Sequence, residues 1–82
     1  MRKSALNLER AFGRVVQARR KKLRLSQEET AFRSGLHRTF VSQIERGLKS
    51  PSLRTIVALG RVLEVDAHVL VREAIEIAKE TR

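Results

Sequence analysis

The 82-residue sequence has no cysteine, tryptophan or tyrosine, and its only aromatic residues are three phenylalanines. Without cysteine, neither a disulfide framework nor a cysteine-based zinc site can form. Three phenylalanines are too few for the aromatic platforms on which RNA-binding domains stack bases. No apolar run approaches the length of a membrane span and no N-terminal signal pattern is present, so we expect a cytoplasmic protein. The length fits one domain with one modest core.

The formal net charge is +9, and it is unevenly distributed along the chain. Residues 1–50 contain thirteen Lys and Arg and four Asp and Glu, whereas residues 51–82 contain five of each. A cationic surface concentrates polyanions and releases their counterions on binding. Many small proteins carry a basic surface that is merely solvated, so the charge becomes informative only where it coincides with a nucleic-acid-binding motif.

The residues from 26 to 47 predict two short helices joined by a tight turn. Ser26 and Glu29 have the spacing of a capping box, which starts a helix over residues 27–33. Gly35 follows where the chain must turn sharply, because glycine adopts the left-handed region at little cost. A second helix is predicted over residues 38–46. Leu36 is the apolar residue that plugs the turn, and Val41 and Ile44 are the inward-facing positions of the second helix. Gly47 ends that helix.

Three further helices are predicted from apolar spacing and capping residues, over 8–23 after Asn7, 53–63 after Ser52 and 67–80 after Asp66. The alternative start for the fourth helix has Ser50 as its cap and Pro51 in the first helical position. With no strand pattern, the expected fold is an all-α bundle of five helices. Residues 1–7 form a flexible N-terminal arm in this prediction, and residues 8–82 form one domain. In the fourth helix, the residues expected in the core are Leu53, Ile56, Val57 or Leu59, and Leu63. Gly60 is expected at a close contact with a neighbouring helix.

The fifth predicted helix has more apolar surface than one core-facing stripe requires. Surplus apolar area on a small protein indicates a partner surface, and we expect this helix to mediate dimerisation. The alternative is that the helix bends over the core and buries most of this area. The candidate dimerisation residues are Val69, Ile75, Ile77 and Ala78.

On these residues the chain resembles the Cro/XRE-type helix-turn-helix proteins, which include phage repressors and the controller proteins of restriction–modification systems. The resemblance spans residues 10–71. It is carried by Arg20, Leu25-Ser26-Gln27-Glu28-Glu29, Ala31, Ser34-Gly35-Leu36, Val41-Ser42, Ile44-Glu45-Arg46-Gly47 and Pro51-Ser52-Leu53. It implies a symmetric dimer that binds two half-sites about 34 Å apart on double-stranded DNA.

The resemblance also implies roles for individual residues. Gln27 matches a phosphate contact at the start of the second helix, and Arg20 and Glu45 match a structural ion pair. The base-facing positions of the third helix match Arg38, Thr39, Ser42 and Gln43.

Each base-facing residue has a simpler alternative, since Arg38 can contact phosphate alone and Gln43 can remain solvated. Arg46 and Lys49 are expected on phosphate or in water. His37 occupies the cap of the third helix, where Ser, Thr, Asp or Asn would serve better, and is included as a DNA-contact candidate. Phe40 either lies near the DNA edge or folds back onto the second helix, against Phe32.

The leading hypothesis is a sequence-specific DNA-binding transcriptional regulator that reads a palindromic operator as a homodimer. The alternative is an antitoxin, a DNA-binding protein that also binds a toxin. Besides DNA and a second copy of the chain, the possible protein partners are RNA polymerase and a toxin. No nucleophile–base set, paired carboxylates or phosphate loop indicates an enzyme. His37 and His68 have no partner at ligand spacing, so neither a metal nor a cofactor is expected.

Overall fold

Five α-helices follow one another along the chain: α1 (Leu8–Lys22), α2 (Gln27–Ser34), α3 (Arg38–Glu45), α4 (Leu53–Leu63) and α5 (Ala67–Glu80). The structure is a computed structural model that describes residues 7–80. In that range there is no strand, and the predicted all-α, five-helix fold is confirmed. Residues 1–6 of the predicted arm and residues 81–82 of the predicted domain lie outside the described residues. None of the five helices is long and apolar enough to cross a membrane.

Three of the helices, α1, α2 and α4, begin at the side-chain caps that the sequence predicts. Asn7, the last residue of the predicted arm, caps α1 by accepting a hydrogen bond from the Arg10 N–H at 2.7 Å. Ser52 caps α4 through the Thr55 N–H at 3.1 Å, so the alternative start at Ser50 is wrong. At their C-terminal ends, α1 and α3 stop one residue earlier than predicted, because Leu23 and Arg46 leave helical geometry. Side-chain caps thus mark the starts of α1, α2 and α4.

The core lies where α1 packs against α5, with α3 and α4 closing its sides. α1 contributes four apolar residues to it, α3 contributes one, α4 and α5 contribute two each, and α2 contributes none. Leu36, in the turn between α2 and α3, packs against this cluster and so connects the predicted motif to the core. The buried members are Ala11, Phe12, Val15, Val16, Ile44, Leu59, Leu63, Leu70 and Ala74.

In α4 the core prediction is wrong at one position and resolved at another. Leu53, expected in the core, is 81% exposed because it is the first residue of α4 and lies at the margin of the packed layer. Of Val57 and Leu59, Leu59 is the buried residue. The close approach predicted at Gly60 is present. A Cβ atom there would lie 2.7 Å from the carbonyl oxygen of Val65, just before α5 begins.

Candidate nucleic-acid interface

The turn between α2 and α3 is built around Gly35, which has a φ of +75°. The Leu36 N–H donates to the Ala31 carbonyl at 2.9 Å, and the Gly35 N–H donates to the Phe32 carbonyl at 3.4 Å. These two bonds satisfy carbonyls that the end of α2 would leave without donors. Because Leu36 then packs on the core, the direction in which α3 leaves the turn is set by both the glycine and the plug.

One face of α3 is buried and the other is free to contact a ligand. Val41 and Ile44 are buried as predicted. On the other face, Arg38 and Thr39 are exposed, and Ser42 and Gln43 are half-buried. Within residues 7–80, none of these four polar side chains makes a hydrogen bond or an ion pair. The structure therefore brings the four predicted base-facing residues together on one short helix, with their donors and acceptors unused.

Three more candidate residues lie at the ends of this face. His37 is exposed and precedes α3 with extended backbone, and its side chain makes no capping hydrogen bond. Arg46 and Lys49 are exposed beyond the C-terminal end of α3. His37 is a poor cap for α3, as the sequence predicts.

Phe40 lies on α3 but is not part of the exposed face. It is half-buried and packs against the core cluster. Phe32, proposed from the sequence as its packing partner on α2, is 88% exposed. Phe40 therefore packs on the core cluster, which contains no residue of α2, and the predicted packing on the second helix against Phe32 is wrong.

A buried ionic network holds the C-terminal end of α3. Arg20 Nε donates to Glu45 Oε2 at 2.6 Å, and Arg20 Nη2 donates to Glu45 Oε1 at 3.0 Å. The Arg20 and Glu45 side chains are 10% and 1% exposed. Arg20 Nη1 donates to the Leu25 carbonyl at 2.8 Å, so the same guanidinium also fixes the loop before α2. A bidentate buried pair of this kind fixes orientation as well as distance.

The Glu45 carboxylate has a third donor that the sequence did not indicate. Gln27, the first residue of α2, donates from Nε2 to Glu45 Oε1 at 3.0 Å. The network therefore includes α1, α2 and α3. The sequence assigned Gln27 to phosphate, and no local signal shows its contact with a residue eighteen positions away.

Gly13 allows α1 to approach the same end of α3. A Cβ atom at this position would lie 2.5 Å from the carbonyl oxygen of Glu45 and 2.8 Å from its carbonyl carbon. Such distances are too short for any side chain to be accommodated without moving α1 away from α3. Gly13 is therefore required for the short separation at which Arg20 reaches Glu45.

The N-terminus of α2 has free backbone donors. The Glu29 N–H donates to Ser26 Oγ at 2.9 Å, and the Ser26 N–H donates to a Glu29 carboxylate oxygen at 3.0 Å. This second bond lowers the pKa of the Glu29 carboxyl below its ordinary value. The backbone N–H groups of Gln27 and Glu28 have no acceptor among the described residues. Free N–H groups at a helix N-terminus suit a phosphate oxygen.

A second ion pair connects α1 to α5, and the sequence analysis did not identify it. Arg19 Nε and Nη2 donate to the two Glu73 carboxylate oxygens at 3.0 and 2.6 Å. These hydrogen bonds lower the pKa of the Glu73 carboxyl and raise that of the Arg19 guanidinium. The side chains are about one-third exposed, unlike the buried pair at Glu45.

The candidate dimerisation residues occupy different surroundings. Ile77 and Ala78 pack against the chain's own core, as in the alternative of a helix that covers the core. Val69 is half-buried, and Ile75 is 43% exposed. Ile75 lies in an apolar groove between α4 and α5, which we call the α4–α5 groove. Its apolar lining consists of Leu53, Ile56, Val57, Ala67, Val71 and Ile75.

The helix-turn-helix family model matches residues 16–70, a span that includes all of α2, α3 and α4. The chain belongs to this family. The family is of the Cro/XRE type, and its members are DNA-binding transcription regulators rather than enzymes. Control protein C.BamHI of Bacillus amyloliquefaciens is 43% identical over 60 residues, which cover 72% of this chain and 74% of that protein.

Solved structures of similar fold include helix-turn-helix regulators. The restriction–modification controller protein C.AhdI from Aeromonas hydrophila superposes with a TM-score of 0.73 at 38% identity, covering 74% of this chain and 92% of that one. The regulator of biofilm formation SinR, solved in complex with DNA, has a TM-score of 0.70 at 31% identity and covers 73% of this chain and 97% of its own. This chain spans about half the length of an HTH-type transcriptional regulator of Mycobacterium tuberculosis that it matches at 36% identity.

Proposed function

We propose that this protein regulates transcription by binding a specific DNA sequence with α3 in the major groove. The observation that carries the proposal is the free polar face of α3 on a helix whose other face and C-terminal end are buried. A short helix held rigidly at its base, with unused donors on its outer face, has the geometry of base readout. The similarity to C.BamHI and C.AhdI favours a control protein over the antitoxin alternative.

The roles of the α3 side chains follow from their donors and acceptors. Arg38 is the candidate for two hydrogen bonds to guanine O6 and N7, since its guanidinium is exposed and unpaired. Gln43 can pair with adenine through N6 and N7, and the Thr39 methyl group can contact a thymine methyl. Ser42 is small enough to let the helix backbone approach the base edges.

Phosphate contacts would then surround this readout. The free N–H groups of Gln27 and Glu28 at the start of α2 would donate to a phosphate oxygen. Arg46 and Lys49 supply exposed positive charges after α3, and His37 supplies a ring N–H before it. These contacts orient the protein without reading sequence.

We infer that two copies pair through the α4–α5 groove, whose most exposed apolar lining residues are Leu53, Val57 and Ile75. These three apolar side chains are 81%, 45% and 43% exposed, and pairing would remove them from water. A two-fold dimer presents two α3 helices to half-sites separated by about one DNA turn, roughly 34 Å.

The experiment is selection of bound sequences from random duplex DNA, followed by affinity measurement on the selected site. We expect a palindrome with half-site centres one turn apart, and affinity that falls steeply with salt because several phosphates are neutralised. Arg38→Ala should abolish the preference for the selected site, with Arg61→Ala on α4 as a charge-matched control that keeps it. Binding that is independent of sequence would refute the proposal.

A further inference from the structure

We propose that Arg10 of α1 binds a backbone phosphate of DNA beside the C-terminal end of α3, where its side chain lies against Gly47. Local pattern does not single out this arginine, because it lies on α1, outside the two helices of the motif. The inference rests on the proposed function, since it adds a phosphate contact next to the helix that we propose enters the major groove.

The side chain of Arg10 packs on the backbone that follows α3. Gly47 is the second residue after this helix and has a φ of +76°. A Cβ atom at Gly47 would lie 2.4 Å from Arg10 Cγ and 2.8 Å from Arg10 Cα. Glycine is therefore required here both for the left-handed backbone and for the close approach of α1. The result is that the aliphatic stem of Arg10 rests directly on the loop after α3.

This contact of the stem determines where the charge of Arg10 lies. Only Cδ separates Cγ from the first guanidinium nitrogen, so a stem held at Gly47 keeps the guanidinium close to that loop. Arg10 is nevertheless exposed, as for a long cationic side chain that packs its methylene groups and keeps its charged end in water. Among residues 7–80, its guanidinium forms no hydrogen bond and no ion pair.

Two other exposed cations belong to the same loop. Arg46 precedes Gly47 directly, and Lys49 follows it by two residues. Neither forms an ion pair with a carboxylate of the described residues, and neither does the half-buried Glu9 beside Arg10. Cations from two elements, with no acidic partner, are thus held around one glycine at the base of α3. The ligand that complements them is a polyanion, and the DNA backbone passes the proposed reading face of α3.

The packing of the stem also makes Arg10 better prepared for a phosphate than a freely rotating surface cation. A side chain that is already ordered loses less rotamer freedom when it binds. A guanidinium matches the geometry of phosphate oxygens and can donate two hydrogen bonds to them. Because a phosphate contact carries no sequence information, Arg10 should contribute equally to operator binding and to binding of unrelated DNA.

The test compares Arg10→Met with wild type on two duplexes, the selected operator and a scrambled sequence of the same composition. Methionine keeps the Cβ and Cγ atoms that pack on Gly47 but removes the charge. We expect affinity to fall about tenfold or more on both duplexes at low salt, as for loss of a hydrogen bond to a charged group. The slope of log affinity against log salt concentration should become shallower by about 0.9 for each bound copy. The Tm should stay at the wild-type value, because the stem contact is kept.

Two matched variants separate a local contact from a general loss of charge. Arg10→Lys keeps a cation on the same stem and should keep the wild-type slope. Arg61→Met removes an exposed arginine from α4 and should also keep it, although the net charge falls by the same amount as in Arg10→Met.

The outcomes distinguish this inference from the proposed function. An Arg10→Met slope equal to that of wild type, or of Arg61→Met, would overturn the inference, as would weakening of the operator alone, which indicates a base contact. A lower Tm with an unchanged slope would identify Arg10 as a purely structural residue and would also overturn it. Wild-type protein that binds both duplexes equally would refute the proposed base readout, and the Arg10→Met slope would still decide the phosphate contact.

Discussion

Alanine substitution at Glu45 and at Glu73 should have very different effects on stability, although both residues pair with an arginine of α1. Glu45→Ala leaves the guanidinium of Arg20 almost buried and without its partner, which typically costs about 3–5 kcal/mol. Glu73→Ala breaks a pair whose side chains are about one-third exposed, and solvent screening limits the cost to about 0–1 kcal/mol. A domain of this size has about 4–12 kcal/mol of stability in total, so the first change removes a large part of it.

The assay is thermal unfolding followed by circular dichroism, with urea unfolding as a second measure. At about 4–8 °C per kcal/mol, Glu45→Ala should lower the Tm by about 12 °C or more, and Glu73→Ala by at most about 8 °C. Arg38→Ala should leave the Tm nearly unchanged, because Arg38 is exposed and unpaired.

A double variant, Arg20→Met with Glu45→Met, tests the reason for the difference. Removing both charges together avoids a buried unpaired ion, so the double variant should be more stable than Glu45→Ala. Equal Tm changes for Glu45→Ala and Glu73→Ala would refute the reasoning from burial. A double variant as unstable as Glu45→Ala would show that the unpaired charge is not the cause.

Three further changes test other parts of the structure. Gly13→Ala places a Cβ atom 2.5 Å from the Glu45 carbonyl oxygen and should cost about 1–3 kcal/mol in urea unfolding; an unchanged midpoint would contradict the close packing of α1 on α3. Ile75→Asp should yield a monomer in sedimentation analysis and leave the helix content measured by circular dichroism unchanged, whereas a persistent dimer would place the interface elsewhere. Arg19 lowers the pKa of Glu73 in the folded state, so this pair stabilises the protein above the unfolded pKa and stops doing so as pH falls through the folded one. The Tm difference between wild type and Glu73→Gln should therefore shrink between about pH 6 and about pH 3, and a constant difference would refute the assignment.

The positions of the helices were predictable because their signals are local. Ser26 and Glu29 satisfy each other across three residues, and Gly35 supplies the left-handed turn without any distant partner. The face of α3 follows from the same kind of argument, since Val41 and Ile44 are buried and Arg38 lies on the other side. Helical periodicity alone separates these two sets.

The partners of individual side chains were not predictable from local pattern. Arg19 finds Glu73 fifty-four residues away, and Gln27 finds Glu45 on a different helix. Within α5, periodicity did not distinguish Ile75, which stays exposed, from its neighbours that pack on the core. Such choices depend on the angle and separation at which helices cross.

The sequence by itself determined five helices, a capped α2, a glycine turn and a polar outer face on α3, because each depends on interactions within about four residues. Only the tertiary structure decided that Gln27 faces Glu45, that Leu53 stays in solvent, and that apolar side chains of α4 and α5 form a common groove. The physical reason is that burial and hydrogen bonding between distant residues are properties of the packed helices together, and they appear only once α1 has closed against α3 and α5.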